Sequence, residues 1–364
     1  MKREAYERQK AFAGEKVPSM HRRCLDHDYH GRQMYMVTIV TEGRRPLLGT
    51  VVGRCSLPEL SAGRDAGSNL GACLGADPDA PRLEPSSLGL RVEREWWGIP
   101  AYYPQVEIVA LQLMPDHLHG IIFVKERMER DLSRIIRGFK TGCNRAFREL
   151  FPSVPCVATQ SQQTEQPASA SARPRYDRRH GLLFASGFSD KILFRQGQLQ
   201  CWLNYLHDNP RRLLLKREHP DLFRVQRGLT VGGQTFSAIG NRFLLDRPER
   251  VQVRCSRSLG EAEIAAETAR FLSLARAGAV LVSPSISRGE KAVMRAAFDE
   301  GLPLIILQEN GFTDLAKPGG SRFDACARGQ LLLLAPWDHH NERLAISRSQ
   351  CMALNDLARL VCEA

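Results

Sequence analysis

The sequence predicts an α+β domain followed by an α/β domain, and three observations carry that reading. Up to about residue 230, strand-like apolar runs and long helical stripes are separated by two compositionally biased stretches. Beyond Gly232-Gly233, short apolar runs alternate regularly with helical stretches. The charge divides the same way: residues 1–235 hold 35 Lys and Arg against 25 Asp and Glu, whereas residues 236–364 hold 16 against 15.

The elements of the first domain follow in order. Residues 1–21 read as a polar extension, and the domain proper as 22–230. Met34–Val40 (MYMVTIV) is β-branched and apolar enough for a strand, as is Val106–Met114 (VEIVALQLM). Between them, residues 55–87 are rich in Gly, Pro, Ala, Ser and Asp without a sustained period, which predicts an insertion. Leu88–Trp97 then reads as a short helix, and His117–Val124 as a further strand after the break at Pro115. From Leu132 to Leu150 the residues Leu132, Ile135, Ile136, Phe139, Cys143, Phe147 and Leu150 keep helical spacing and describe one buried stripe. Residues 152–181 include the low-complexity ATQSQQTEQPASASARP, a second insertion. Leu199, Trp202, Leu203 and Leu206 form the stripe of a last helix, which Asn209-Pro210 is expected to end.

The second domain is expected over 236–364 after a joint at Gly232-Gly233. Its strands are Val251–Cys255, Ala279–Ser283, Pro303–Gln308 and Leu331–Ala335, and its helices Glu261–Ala277, Gly289–Glu300 and Asn341–Cys362. Alternation of this kind predicts a Rossmann-like parallel sheet with helices on both faces. No G-x-G-x-x-G follows the first strand, so no dinucleotide site is expected.

Composition narrows the class. Hydrophobic content of 43% and charged content of 25% in 364 residues are ordinary for a globular protein. No run reaches the roughly 18 to 20 apolar residues of a membrane span, and the start MKREAYERQK lacks the apolar centre of a secretory signal. A cytoplasmic location without membrane association is expected. The ten cysteines include no C-x-x-C pair, which argues for reduced thiols. Of the net charge of +11, all but one unit lies in residues 1–235, and clustered positive charge suits a phosphate backbone. DNA is the expected partner of that domain.

Within it, the stretch MPDHLHGII places two histidines around one bulky apolar residue. Strand side chains repeat every two residues, so His117 and His119 share a face while Leu118 points into the core. Two neighbouring imidazoles make a metal clip that needs a third ligand. On the last helix, Tyr205 and Asn209 lie one turn apart at the edge of the apolar stripe. A tyrosine hydroxyl has a pKa near ~10 and needs a polarised phosphate to act as nucleophile at neutral pH. Mg²⁺ or Mn²⁺ held by His117, His119 and the Asn209 oxygen would supply that polarisation. Opposite the stripe of residues 132–150, Arg134, Arg137, Arg145 and Arg148 form a basic ridge, and with Lys140 they are the candidate DNA contacts.

Arranged in this order, the residues resemble the single-tyrosine HUH transposases, the REP-associated kind in particular. The resemblance runs from about Arg22 to Val225 through HDYHGRQMYMVTIVTEGRRPLLG, LGLRVEREWWGIPAYYPQVEIVALQLMPDHLHGIIF, FKTGC and FSDKILFRQGQLQCWLNYLHDNPRR. It implies an antiparallel sheet flanked by helices, metal ligands at His117 and His119, and the nucleophile at Tyr205 in Tyr-hydrophobe-x-x-Asn-Pro. It also implies a monomer or homodimer acting on DNA hairpins with single-stranded flanks, and cleavage and rejoining through a 5′-phosphotyrosine. The insertions and the C-terminal domain depart from the family. Two other readings remain open: a catalytically idle DNA hairpin-binding protein, and a metal-dependent hydrolytic nuclease.

The second domain is more distantly similar to the DNA-processing protein A family, through VRCSRS, AVLVSPSISRGEKAVMRAAFDEGLPLIIL and HHNERLAISRSQ. Backbone amides around Ser283, Ser285, Arg288 and Gly289 are candidates for holding a phosphate there. A structural or interaction role is the alternative.

Overall fold

A computed structural model describes residues 24, 27–55, 79–152, 183–341 and 345–364. The extension 1–21, most of the 55–87 stretch and nearly all of 152–181 lie outside them. The chain folds as two compact units and passes from the first to the second after Leu213.

The first unit is built on an antiparallel sheet. Its strands are β1 (Gln33–Val40), β4 (Val106–Met114), β5 (His117–Val124) and β6 (Ser189–Leu193), in the order β4-β5-β1-β6. β4 and β5 are joined by Pro115 and Asp116 alone, with Met114 opposite His117. Proline has no N–H to give a ladder, so the strand must stop there, and the short link returns it as a hairpin. The turn carbonyls are held by Leu48 N–H at Pro115 O and by Thr41 N–H and Oγ1 at Asp116 O.

Alternation then divides the sheet. Tyr35, Val37, Ile39, Leu118 and Ile122 enter one core with Leu88, Val92 and Trp96 of α1 (Ser87–Trp97) and the stripe of α3 (Leu132–Leu150), α2 (Ile99–Tyr102) being one short turn between them in sequence. Met36, Ile121 and Leu193 face the other way, against Leu199, Trp202, Leu203, Tyr205 and Leu206 of α4 (Gln198–Glu218). Caps fix the starts of the first-face helices: Ser86 Oγ accepts from Gly89 N–H at 3.0 Å, and Asp131 accepts from Arg134 N–H at 3.1 Å. Gly120 on β5 allows Trp96 to lie on the sheet, since a Cβ there would stand 2.0 Å from its ring.

Two expectations for this unit need correction. α4 does not end at Asn209-Pro210 but runs through Pro210 to Glu218. Its continuation carries the buried Leu214 and Leu215, and burying them outweighs the one hydrogen bond that proline removes. The stretch 55–87 is not wholly an insertion either, because β3 (Arg82–Pro85) pairs with β2 (Gly49–Val52) just before α1.

The second unit carries a six-stranded sheet in the order β7-β8-β12-β11-β10-β9. β9 (Arg250–Gln252), β10 (Val280–Ser283), β11 (Leu304–Leu307) and β12 (Leu331–Ala335) are parallel, as predicted. β7 (Gln226–Val231) and β8 (Gln234–Gly240) add an antiparallel hairpin beside β12, so the sheet is mixed, mostly parallel. Gly232 and Gly233, at φ 55° and 81°, form its two-residue turn rather than a joint between domains. α5 (Glu261–Arg276), α6 (Arg288–Asp299) and α7 (Ser321–Ala327) pack on one face, and α8 (Arg348–Glu363) on the other. α8 starts later than expected, because the Ser347 capping box with Gln350 sets its first turn.

Candidate active site

The site is assembled by strand register. Gln112 on β4, His119 on β5, Thr38 on β1 and Ser189 on β6 are successive cross-strand partners, so one polar row crosses the whole sheet on a single face. His117 stands one row further toward the Pro115 turn, opposite Met114 and Val40. The two imidazoles are 4.8 Å apart between centroids, with their planes at 80°. Leu118 between them is fully buried in the opposite core, as the alternation requires.

Each ring is oriented through Nδ1. His117 Nδ1 is 2.6 Å from Asp116 Oδ1, whose other oxygen accepts from Arg44 at 3.1 Å. Burial works to raise the Asp116 pKa, but the hydrogen bond and charge of His117 and those of Arg44 outweigh it and hold the carboxyl at about 2. An ionised carboxylate only accepts, so His117 donates to it from Nδ1. His119 Nδ1 is 2.7 Å from Thr38 Oγ1, a hydroxyl that also lies 3.7 Å from Met36 Sδ. Burial, then the neighbouring His117 charge, push the His119 pKa down to about 3, so this ring is neutral. Neither Nε2 meets a described hydrogen-bond partner. Two imidazoles side by side, each secured through Nδ1 and with Nε2 clear of any described partner, are what a divalent cation needs from this pair.

α4 brings the tyrosine over the same face. The Tyr205 ring is edge-on to His119 at 5.8 Å and 63°, with Trp202 at 5.6 Å on another side and the Arg212 guanidinium 5.8 Å from its centroid. Asn209, one helical turn further, is buried, and its Nδ2 has no hydrogen-bond partner. The two ends of an amide are nearly isosteric, so rotation presents an oxygen at the same unsatisfied position. Among the described residues no group of three His, Cys, Asp or Glu side chains is arranged to hold a metal ion. The chemistry of two adjacent imidazole nitrogens, with a buried, unsatisfied amide one turn from Tyr205 on α4, is of the mixed nitrogen and oxygen kind that Mg²⁺ or Mn²⁺ accept.

The basic helix is placed elsewhere. Arg134, Arg137, Arg145 and Arg148 are exposed on α3, but α3 covers the sheet face opposite the histidines. Lys140 does not belong to that ridge: it is buried, and its ammonium donates to the carbonyls of Ala185 at 2.6 Å and Gly187 at 2.5 Å. The residues missed in the sequence are Thr38, Arg44, Asp116 and Gln112. Asp116 was visible as the neighbour of His117; the others depend on register.

In the second unit, three of the amides around Ser283–Gly289 have partners within the chain. Ser285 N–H donates to Ser283 Oγ at 3.0 Å, and the Ile286 and Ser287 N–H groups donate to Glu290 Oε2 at 2.7 and 3.1 Å. The Glu290 carboxylate thus takes up two amides of this turn, while Arg288 and Gly289 begin α6.

Fold and site together define a mixed α/β protein of two units, with a His-x-His strand beneath a tyrosine-bearing helix. No family model matches the chain. An uncharacterized protein of Haemophilus influenzae is 25% identical over 112 residues, covering 30% of this chain and 47% of that protein. The chain thus spans about half the length of that relative. The structure of a REP-associated tyrosine transposase bound to a REP hairpin superposes with a TM-score of 0.29 at 12% identity, over 51% of this chain and 72% of that one. DNA processing protein A from Helicobacter pylori, described for its single-stranded DNA binding mode, gives 0.30 at 16% identity, over 39% of this chain and 66% of that one.

Proposed function

We propose that the first unit cleaves and rejoins single-stranded DNA through Tyr205, with a divalent metal. The observation that carries this reading is the approach of the Tyr205 ring to the His117 and His119 pair within one chain. His117, His119 and Asn209 would hold Mg²⁺ or Mn²⁺, which when bound polarises the scissile phosphate as a Lewis acid. Asp116 and Thr38 keep the two lone pairs pointed into the site. Tyr205 Oη forms a bond to phosphorus and gives up its proton, while the bond to the 3′ oxygen breaks and that oxygen takes one up. The product is a 5′-phosphotyrosine and a free 3′-hydroxyl. Because the new diester keeps the energy of the old one, attack by another 3′-hydroxyl reverses the step without a nucleotide cofactor. The charge excess of residues 1–235 supports a nucleic-acid substrate, and the resemblance to REP-associated transposases supports hairpins with single-stranded flanks.

The test is a denaturant-resistant protein–DNA adduct on hairpin substrates with single-stranded flanks and Mg²⁺ or Mn²⁺. Wild type is expected to form it and Tyr205→Phe to form none. Cleavage that survives Tyr205→Phe and releases free ends would assign hydrolysis instead. Hairpin binding with no adduct in wild type would leave a DNA-binding protein.

A further inference from the structure

A cavity of about 270 Å³ opens at the β4 edge of the first sheet, beside the tyrosine site. Its polar lining is Arg82, Glu93, Gln112 and His207, and Pro210 and Leu83 form part of its apolar wall. Two of its walls belong to the site already described: Gln112 is the cross-strand partner of His119, and His207 and Pro210 flank Asn209 on the helix that carries Tyr205. Arg82 is bridged to Glu84 at 2.9 Å, whereas Glu93 and His207 have no hydrogen bond or ion pair with a described residue. Gln112 donates Nε2 to the Leu113 carbonyl at 2.8 Å, which leaves its Oε1 as an acceptor. β4 is the edge strand, so its outer backbone groups also face no partner strand within the sheet.

We propose that this cavity receives one unstacked nucleobase carrying an exocyclic amino group, from a nucleotide close to the scissile phosphate. The proposal rests on the strand-transfer reading above. A phosphate is a poor occupant, since Glu93 would set like charge against it in a partly enclosed space. The Glu93 carboxylate and the Gln112 Oε1 are acceptors, and they call for N–H donors from the ligand. Adenine, cytosine and guanine offer an amino group on the edge they would use for pairing. Thymine offers two carbonyl oxygens flanking its single N–H, which would face those acceptors. The proline and leucine walls provide the apolar faces between which an unstacked base lies. The volume is below the roughly 300 to 1,000 Å³ of drug-sized sites, and suits a single ring system.

The experiment compares oligo-dA, oligo-dC, oligo-dT and an abasic strand of equal length, by fluorescence anisotropy with the full chain carrying Tyr205→Phe. Oligo-dA and oligo-dC are expected to bind roughly five- to tenfold more tightly than oligo-dT or the abasic strand. Glu93→Gln and His207→Ala, the second at an exposed position, should each flatten that difference while leaving abasic binding unchanged. Equal affinity for all four strands, tighter oligo-dT, or a preference that survives both substitutions would overturn the base pocket. The Tyr205 adduct is scored separately on wild type: its presence with no base preference removes the pocket alone, and its absence with the preference intact removes strand transfer alone.

Discussion

The Tyr205 ring meets His119 edge-on, 5.8 Å between centroids, while His119 itself is fixed by Thr38 at 2.7 Å through Nδ1. A helix contact and a strand contact thus converge on one imidazole. The tyrosine is packed through its ring, by Trp202 and Arg212, and no described hydrogen bond holds its hydroxyl.

Removing that hydroxyl should therefore separate chemistry from stability. Tyr205→Phe keeps the ring and its neighbours, and its unfolding free energy should stay within about 0.5 kcal/mol of wild type, as expected away from a buried polar group. Covalent adduct formation should fall below detection. Urea unfolding and a denaturing gel read the two quantities; a variant that loses both in parallel would make Tyr205 a packing residue.

Thr38 is expected to matter through His119. Thr38→Val has the same shape but no hydroxyl, so the Nδ1 of a ring that is 8% exposed loses its hydrogen-bond partner. Outer-shell partners of metal-bound histidines are typically worth about 10- to 100-fold in affinity. Mn²⁺ titration followed by calorimetry should show a loss in that range, with an unchanged circular dichroism spectrum. Equal Mn²⁺ affinity in the two proteins would show that Thr38 does not tune this ring.

The facing of the histidine pair was legible because it depends only on a period of two over three residues. The Thr38 and Gln112 partners were not, since they sit 81 and 7 positions from His119 and are chosen by strand register, which a single sequence leaves free. Local preference predicts a helix stop at Asn209-Pro210, and the buried Leu214 and Leu215 override it. The Gly232-Gly233 pair fits a joint between domains and a two-residue hairpin turn equally well by composition, and only the pairing of β7 with β8 decides for the turn. Lys140 was grouped with the arginines by charge, although it follows Phe139 and precedes Cys143 within the buried stripe. Its two carbonyl partners come from residues 45 and 47 positions away, beyond any local pattern.

That burial gives Lys140 a pH signature. Burial lowers its pKa from 10.5 to about 8, against the opposing pull of Glu42. The unfolded chain therefore binds the extra proton between about pH 8 and pH 10.5, and stability attributable to this group rises with pH across that window. Below it both states are charged and the full burial cost is felt. Relative to Lys140→Met, wild type should gain on the order of 1 to 3 kcal/mol between pH 7.5 and 10.5, measured by urea unfolding of both proteins. A difference between the two that stays constant with pH would contradict the assignment.

Gly120 tests the packing that presents the histidine face. Trp96 is fully buried on the other side of the sheet, and a Cβ at Gly120 would stand 2.0 Å from its Cζ2 and 2.6 Å from its Cε2. Neither atom is the end of a flexible chain, because the indole is held by Phe139 at 5.1 Å and by the rest of the core. Gly120→Ala must push the indole or the strand, and overpacking of this kind costs about 1 to 3 kcal/mol. Since His119 precedes Gly120 on β5, a displaced strand would also weaken Mn²⁺ binding, whereas a displaced indole would leave it intact. Trp96→Phe makes room on the core side, so the double variant should be less destabilised than the two single effects added together. A strictly additive pair would show that the contact between Gly120 and Trp96 does not set the position of β5.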